Sequence, residues 1–525
     1  MRLDTIIENA RVVTLDPSRP AAGRIGLWQG RIAGLDEELD GLVAAETVDA
    51  GGATVLPGFI DAHTHLQLTG QGLLAIDVGA ARSVEEALGI IAERAASHAP
   101  DQWVEVSGYD QRAIGRDLTA DELDRAAGGR RVWARHISSH SSVISTAVIR
   151  AIPDAADRAL AERNGGVLRE VEQDIVRSQR LPYSLDEAAR TVEIAAEQAR
   201  RQGVTFCMDA GAGGRIGSLN PLDASTYLRL QERGGLPVRV QLMPSLDALH
   251  AVAGGHGEGF ERGLDVGVRT GLGSDRLGIG ALKVVVDGGM MVRTARLTEP
   301  YEGTAECGRY SIDPADLVAG IVDGHRAGWQ LAVHAIGDEA IDLAIEAFRQ
   351  AASFPGGRRH RIEHGGLIRP DQIPALAELG ISIVSQPSFL YDSGDDFVAQ
   401  MGPRRAGWLY RGRSLVDAGV RVVGSTDRPL AGSPLRIIQT LVDRTSSSGA
   451  IIGDGEGLTV AEALDAVTVH GAWIAGMEDR LGRIAPGFLA DLTVLERSPL
   501  EADTAEIAGI GVLATVVDGE WRDVP

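Results

Sequence analysis

A chain of 525 residues exceeds one ordinary globular core, and its length predicts two domains, a large α/β barrel with an accessory domain. With 44% hydrophobic and 24% charged residues it has the composition of a soluble globular protein, and a formal net charge of −22 argues against nucleic acid or an anionic membrane surface as partner, because both recruit basic patches. The two cysteines, Cys207 and Cys307, exclude a disulfide framework and a cysteine-based zinc site.

In chain order, the N-terminal MRLDTIIENARVVTLDPSRP alternates apolar and polar residues where a secretory signal needs an unbroken apolar segment. No run of about 18 apolar residues occurs anywhere, so a cytoplasmic enzyme is expected. TIIENARVVTL, RIGLWQGRIAGL and ETVDAGGATVL then read as short strands punctuated by Gly, Asp and Pro. DLTVLE and GVLATVVDGEWRD near the C-terminus read the same way, so residues 1–57 and 480–525 are expected to share one composite β-sandwich domain.

Within residues 58–479, apolar β-branched runs alternate with helical patterns, the signature of βα units. The candidate strands are VLPGFIDAH, GVTFCMDAG, VRVQLMPS, GALKVVVDG, QLAVHAIG, RIEHGG, ISIVSQPS and VRVVGSTD, as many as a distorted (β/α)8 TIM barrel requires. Helix-like segments such as DEAIDLAIEAFRQAA and RPDQIPALAELG follow several of them. The first two strands are separated by much more than a normal βα connection. That stretch, at about 67–200, carries its own strand-like runs, WVEVSGYD and RRVWARHISSH, and the helical SVEEALGIIAERAA, and is read as an inserted α/β subdomain near the barrel mouth.

His63 and His65 in FIDAHTHL are two residues apart, so in a strand they share a face and can reach one metal ion. A bare pair of this kind also occurs in cores and on surfaces; its place at the end of a buried strand, where barrel enzymes carry their chemistry, favours metal. His334 and His364 each close an apolar run and taken singly also fit core histidines, while Asp427 after VRVVGST also fits a helix N-cap. Lys283 is the only lysine, and arginine supplies the other 50 positive charges. An unpaired ammonium on an apolar strand is costly to bury, so this position has a chemical demand that a guanidinium does not meet.

These residues resemble the amidohydrolase superfamily, specifically its YtcJ-like branch, amidohydrolase family 3. PGFIDAHTHL, ALKVVVDGG, AVHAIGDEAID, RIEHG and GSTDRPL match the superfamily pattern, and VVDGGMMVRTARLTEPY, VSQPSFL, NGGVLRE and LGRIAPGFLADLTVLE match the branch, so the likeness spans the chain. It departs in SSHSSVIST, which keeps His140 but has Ser145 where Asn is common, and in PGFLAD, where Phe488 replaces the usual Lys.

The resemblance implies a binuclear centre. One divalent ion, Zn²⁺ or else Mn, Fe or Co, is held by His63, His65 and Asp427 and a second by His334 and His364, with Lys283 bridging as its carboxylated (carbamate) form. A metal-activated hydroxide would attack a non-peptide amide of a small-molecule substrate, an N-acyl or N-formyl amine or a cyclic amide. Asp427 is the general base, His140 the candidate for steadying the carbonyl oxygen or holding substrate, and Asp287, Arg293 and Tyr301 are substrate-binding candidates after the fourth strand. Relatives often pair, implying a homodimer. Three alternatives stay open: a mononuclear site, a deaminase of an aminated heterocycle, and a non-catalytic barrel. Deaminases of the superfamily commonly place a Glu three residues after the fifth-strand His, where this chain has Gly337.

Overall fold

The structure, a computed structural model, describes residues 2–137, 141–215, 217–430 and 432–525. Two compact units are formed, one from residues 1–65, 196–217 and 230–525, the other from 66–195 and 218–229.

In the first unit each of the eight candidate segments contains a strand. These are β1 (Phe59–Thr64), β2 (Val204–Ala212), β3 (Arg239–Pro244), β4 (Leu282–Val285), β5 (Leu331–Ala335), β6 (Arg361–His364), β7 (Ser382–Ser385) and β8 (Val422–Gly424). They pair in parallel as β1–β2–β3 and as β4–β5–β6–β7–β8, and Leu277–Ile279 adds a further strand beside β3. A parallel bridge between Ser245 and Lys283 carries β3 to β4. Beyond β8, the Asp427 amide donates to the His63 carbonyl at 3.0 Å and the His65 amide to the Arg428 carbonyl at 3.1 Å, tying the last strand's exit to the first.

Every residue of β1, β6, β7 and β8 is buried, because parallel strands are covered on both faces; β8 is apolar throughout, while β1 and β6 also bury Asp61, His63, Arg361, Glu363 and His364. Ile60, Phe206, Met208, Met243, Val384 and Val423 from the strands share a core with Ile474 and Leu481. The helix Asp338–Ala351 after β5 buries Ile341, Ala344, Ile345 and Phe348, an apolar stripe at helical spacing.

The chain ends meet in the same unit. Leu492–Leu495 pairs antiparallel with Thr54–Pro57 and with Val512–Val517, in a six-stranded sheet completed by Arg11–Val13, Ala21–Ala22 and Glu520–Asp523. Asp518 and Gly519 have φ of 58° and 81°, and this left-handed two-residue turn lets Val517 and Glu520 face each other in a hairpin. A four-stranded sheet of Arg2–Glu8, Ile25–Trp28, Arg31–Leu35 and Val43–Asp49 contributes Ile7, Ile25 and Ile32 to a core shared with Leu492 and Val516.

The second unit is a five-stranded mixed sheet in which Val104–Tyr109 and Val132–His136 run parallel at the centre, backed by the helix Val84–Ala95. Residues 218–229 join it because the Leu219 amide donates to Gln67 Oε1 at 2.8 Å and Gln67 in turn bonds Asp223. No helix among the described residues is long and apolar enough to cross a membrane.

Candidate metal centre

Six polar side chains converge at the ends of strands in the first unit. On β1 and just beyond its end the period of two puts His63 and His65 on one face. Lys283 comes from β4, His334 from β5, His364 from the last position of β6, and Asp427 from just after β8. His364 and Asp427 have φ of 72° and 55°. The left-handed region costs a side-chain-bearing residue on the order of 1 kcal/mol or more and persists where the surroundings impose it. For Asp427 the brace is visible. Buried Asp61 accepts the Thr426 amide at 2.9 Å and the Thr426 hydroxyl at 2.6 Å, and Arg428 Nε lies at 3.4 Å.

The side chains nearly touch. Asp427 Oδ1 lies 3.2 Å from His65 Nε2 and 3.5 Å from His63 Nε2, and Asp427 Oδ2 lies 3.9 Å from His364 Nδ1. Lys283 Nζ is 3.2 Å from His63 Nε2, and the rings of His334 and His364 are 4.3 Å apart. Donor atoms of His63, His65 and Asp427 all lie within 4.8 Å of one another, close enough to share one ion.

Hydrogen bonding on the outer side suits a metal. His63 Nδ1 meets Glu363 Oε2 at 2.6 Å, His65 Nδ1 meets the Ala210 carbonyl at 2.9 Å, and His334 Nε2 meets the Gly288 carbonyl at 3.3 Å. Each acceptor fixes the proton on that nitrogen and leaves the other nitrogen of the ring with a lone pair. His364 Nδ1 is buried with no hydrogen-bond partner among the described residues, an arrangement that costs about 1–3 kcal/mol unless something occupies it. This donor set fits a divalent ion.

Electrostatics agree. Burial, reinforced by Lys283, lowers the pKa of His63 and brings that of His334 to about 3, and burial with His334 alongside lowers that of His364, so these rings are neutral as ligands must be. Burial also lowers Lys283 to about 8, against the opposing pull of Glu363 and Asp427. Burial opposes the charge on Asp427, yet His63, His65 and His364 hold its carboxyl well below the usual carboxylate range.

The three candidates after β4 lie differently. Asp287 is buried and accepts the amides of Arg296 at 2.8 Å, Gly337 at 2.9 Å and Ile336 at 3.0 Å, with His334 Nε2 3.4 Å away; burial nonetheless raises its carboxyl to about 7. Tyr301 is 1% exposed and its hydroxyl donates to the Ala295 carbonyl at 2.8 Å. Arg293 is exposed, with φ of 57°. His140 lies outside the described residues. Sequence reasoning passed over Asp61, Arg361 and Glu363. A signal existed: Arg361 and Glu363 are charges at i and i+2 in a segment that the βα pattern reads as a buried strand, which demands a buried partner for each.

Comparison with known proteins follows the same lines. The chain is 28% identical over 546 residues to the N-substituted formamide deformylase of Arthrobacter pascens, covering 99% of this chain and 98% of that protein. It is 26% identical over 506 residues to the putative amidohydrolase YtcJ of Bacillus subtilis (strain 168), covering 92% of each. An uncharacterized metal-dependent hydrolase from Pyrococcus furiosus has the same fold, with a TM-score of 0.75 and 26% identity over 95% of this chain and 100% of that one. Residues 46–522 match the amidohydrolase family over nearly the whole sequence, and this chain, a hydrolase of non-peptide carbon–nitrogen bonds, belongs to that family.

Proposed function

We propose that this protein is a metal-dependent hydrolase of N-formyl or N-acyl amines, with its metal site in a distorted (β/α)8 barrel. The barrel reading rests on the two parallel sheets, the Ser245–Lys283 bridge and the ties between Asp427 and His63. His63, His65 and Asp427 would hold one divalent ion and His334 and His364 a second, with Lys283 joining them as a carbamate. Such ions supply Lewis acidity and water activated at neutral pH.

The chain's own groups do the rest. Asp427, kept ionised at the centre, accepts a proton from the attacking water and delivers it to the departing amine nitrogen. Asp287 holds the ends of β4 and β5 together through three backbone amides, which keeps His334 in place. Exposed Arg293 remains the proposed substrate contact on this loop. The observation that carries the metal reading is the convergence of neutral imidazoles whose outer nitrogens are engaged, with His364 Nδ1 buried and without a hydrogen-bond partner among the described residues.

The formamide preference rests on the full-length likeness to the N-substituted formamide deformylase. Deamination is disfavoured because Gly337 stands where a ring-protonating acid would be, and its amide is bonded to Asp287. The test is a hydrolysis screen of N-formyl, N-acetyl and cyclic amides with Zn²⁺-loaded protein and Asp427→Asn as blank. Release of formate from N-formyl amines by the wild type alone is expected; ammonia released from aminoheterocycles with no amide cleaved would refute the reading.

A further inference from the structure

The four imidazoles of the site differ in what steadies them. His65 and His334 lean on neutral backbone carbonyls, and His364 Nδ1 has no partner among the described residues. Among the four, His63 makes the shortest contact with a carboxylate outside the ligand set: Glu363 Oε2 at 2.6 Å, with both side chains wholly buried, against 3.4 Å from His334 Nε2 to Asp287 Oδ1. Glu363 Oε1 in turn takes Arg361 Nε at 2.6 Å. The other guanidinium nitrogens lie against the sulfurs of Met208 and Met243. Arg361 and Glu363 thus form a charge-balanced pair inside the strand layer, aimed at one ring.

An anionic acceptor enriches an imidazole in electron density more than a carbonyl does, and it fixes the tautomer more firmly. His63 also belongs to the set of three donors that lie within 4.8 Å of one another, close enough to share one ion. That set includes the carboxyl group of Asp427, whereas His334 and His364 offer two imidazoles.

We propose that the Arg361–Glu363 pair is a positioning device for His63, and that it makes the position held by His63, His65 and Asp427 the first to take up a metal ion and the last to release it. The proposal rests on the metal-centre reading given above. Glu363 acts only through His63: it keeps the proton on Nδ1 and presents the Nε2 lone pair.

The test titrates metal-free, full-length protein with Co²⁺, following the visible absorption of the bound ion and competition with a chelator. The wild type is compared with Glu363→Gln and with the double variant Arg361→Met/Glu363→Gln. The double variant removes both charges together and strands neither, so it folds even if the single variant does not. Two-step uptake by the wild type is expected, with the first step weakened about 10–100-fold in the variants and the second changed by less than about threefold. A first step unaffected by the variants, or both steps weakened equally, overturns the proposal while leaving the metal centre standing. A wild type that takes up no Co²⁺ overturns the metal centre itself.

Discussion

Replacing Lys283 with arginine separates the demand for a positive charge from the demand for a free amine. Lys283 is 3% exposed, and burial brings its pKa from 10.5 to about 8. At pH 7 about 10% of such an amine is neutral, against about 0.03% at the ordinary value, so the fold enriches the form that attacks CO₂ by about 300-fold. A guanidinium stays protonated and has no amine for that reaction. The larger head group also crowds a packed site, at a cost of about 1–3 kcal/mol, so stability is measured in parallel and Lys283→Met serves as the smaller control. The assay is ¹³C NMR of Zn²⁺-loaded protein equilibrated with ¹³C-bicarbonate, together with metal content and turnover of an N-formyl amine. A carbamate resonance is expected in the wild type and absent in the folded variants, with turnover down by at least about 100-fold, the upper end of what altering a ligand's own partner costs. Carbamate formation falls as pH drops below about 8, because the amine then protonates. No carbamate in the metal-loaded wild type, or Lys283→Arg keeping two ions and turnover within about tenfold, would refute the bridging role.

Three further outcomes are expected. His360, buried against His325 at 2.8 Å with the Leu331 amide on its other nitrogen, has its pKa lowered from 6.5 to about 3 by burial and by His325. Its contribution is complete above 6.5; on acidification toward 3 the unfolded chain binds a proton that the fold refuses, and stability falls by up to about 1.4 kcal/mol per pH unit. Urea unfolding at pH 7 and pH 5 should show a shallower loss in His360→Gln, and equal slopes would count against this account. Arg239, 2% exposed, is held bidentate by Asp491 at 2.8 and 3.0 Å; Asp491→Asn leaves the buried cation with Asp518 as its remaining carboxylate among the described residues, beside the Asp275 carbonyl, and a loss of about 3 kcal/mol is expected, whereas under about 1 kcal/mol would show the pair to be dispensable. In Gly337→Ala the new Cβ runs into the Arg296 carbonyl and disturbs the Asp287 brace, so metal uptake and thermal stability should both decline; unchanged uptake would mean that His334 is positioned independently of that brace.

Composition and local pattern carried much of this. Parallel strands buried on both faces are rich in apolar residues, so a segment such as β5 stands out, and a polar residue near the end of such a run is conspicuous. That made His63, His65, Lys283, His334, His364 and Asp427 candidates from residue type and position alone. It could not separate side chains that meet the site from those that brace a loop: Asp287 and Tyr301 read like Arg293 in the sequence, yet their polar groups are bonded to backbone amides and to a carbonyl.

What the sequence by itself determined is which segments are buried strands and which polar residues sit at their ends, because strand alternation and burial leave their mark within a few residues. Only the tertiary structure decided which of those residues face one another. The contact between His63 and Glu363 spans 300 positions, and it depends on where β1 and β6 lie, which no local period encodes. The left-handed backbone at His364 and Asp427 likewise depends on neighbours such as Asp61 gripping Thr426, and the return of residues 218–229 to the second unit depends on Gln67. These are pairings between distant segments, set by packing after the strands have formed.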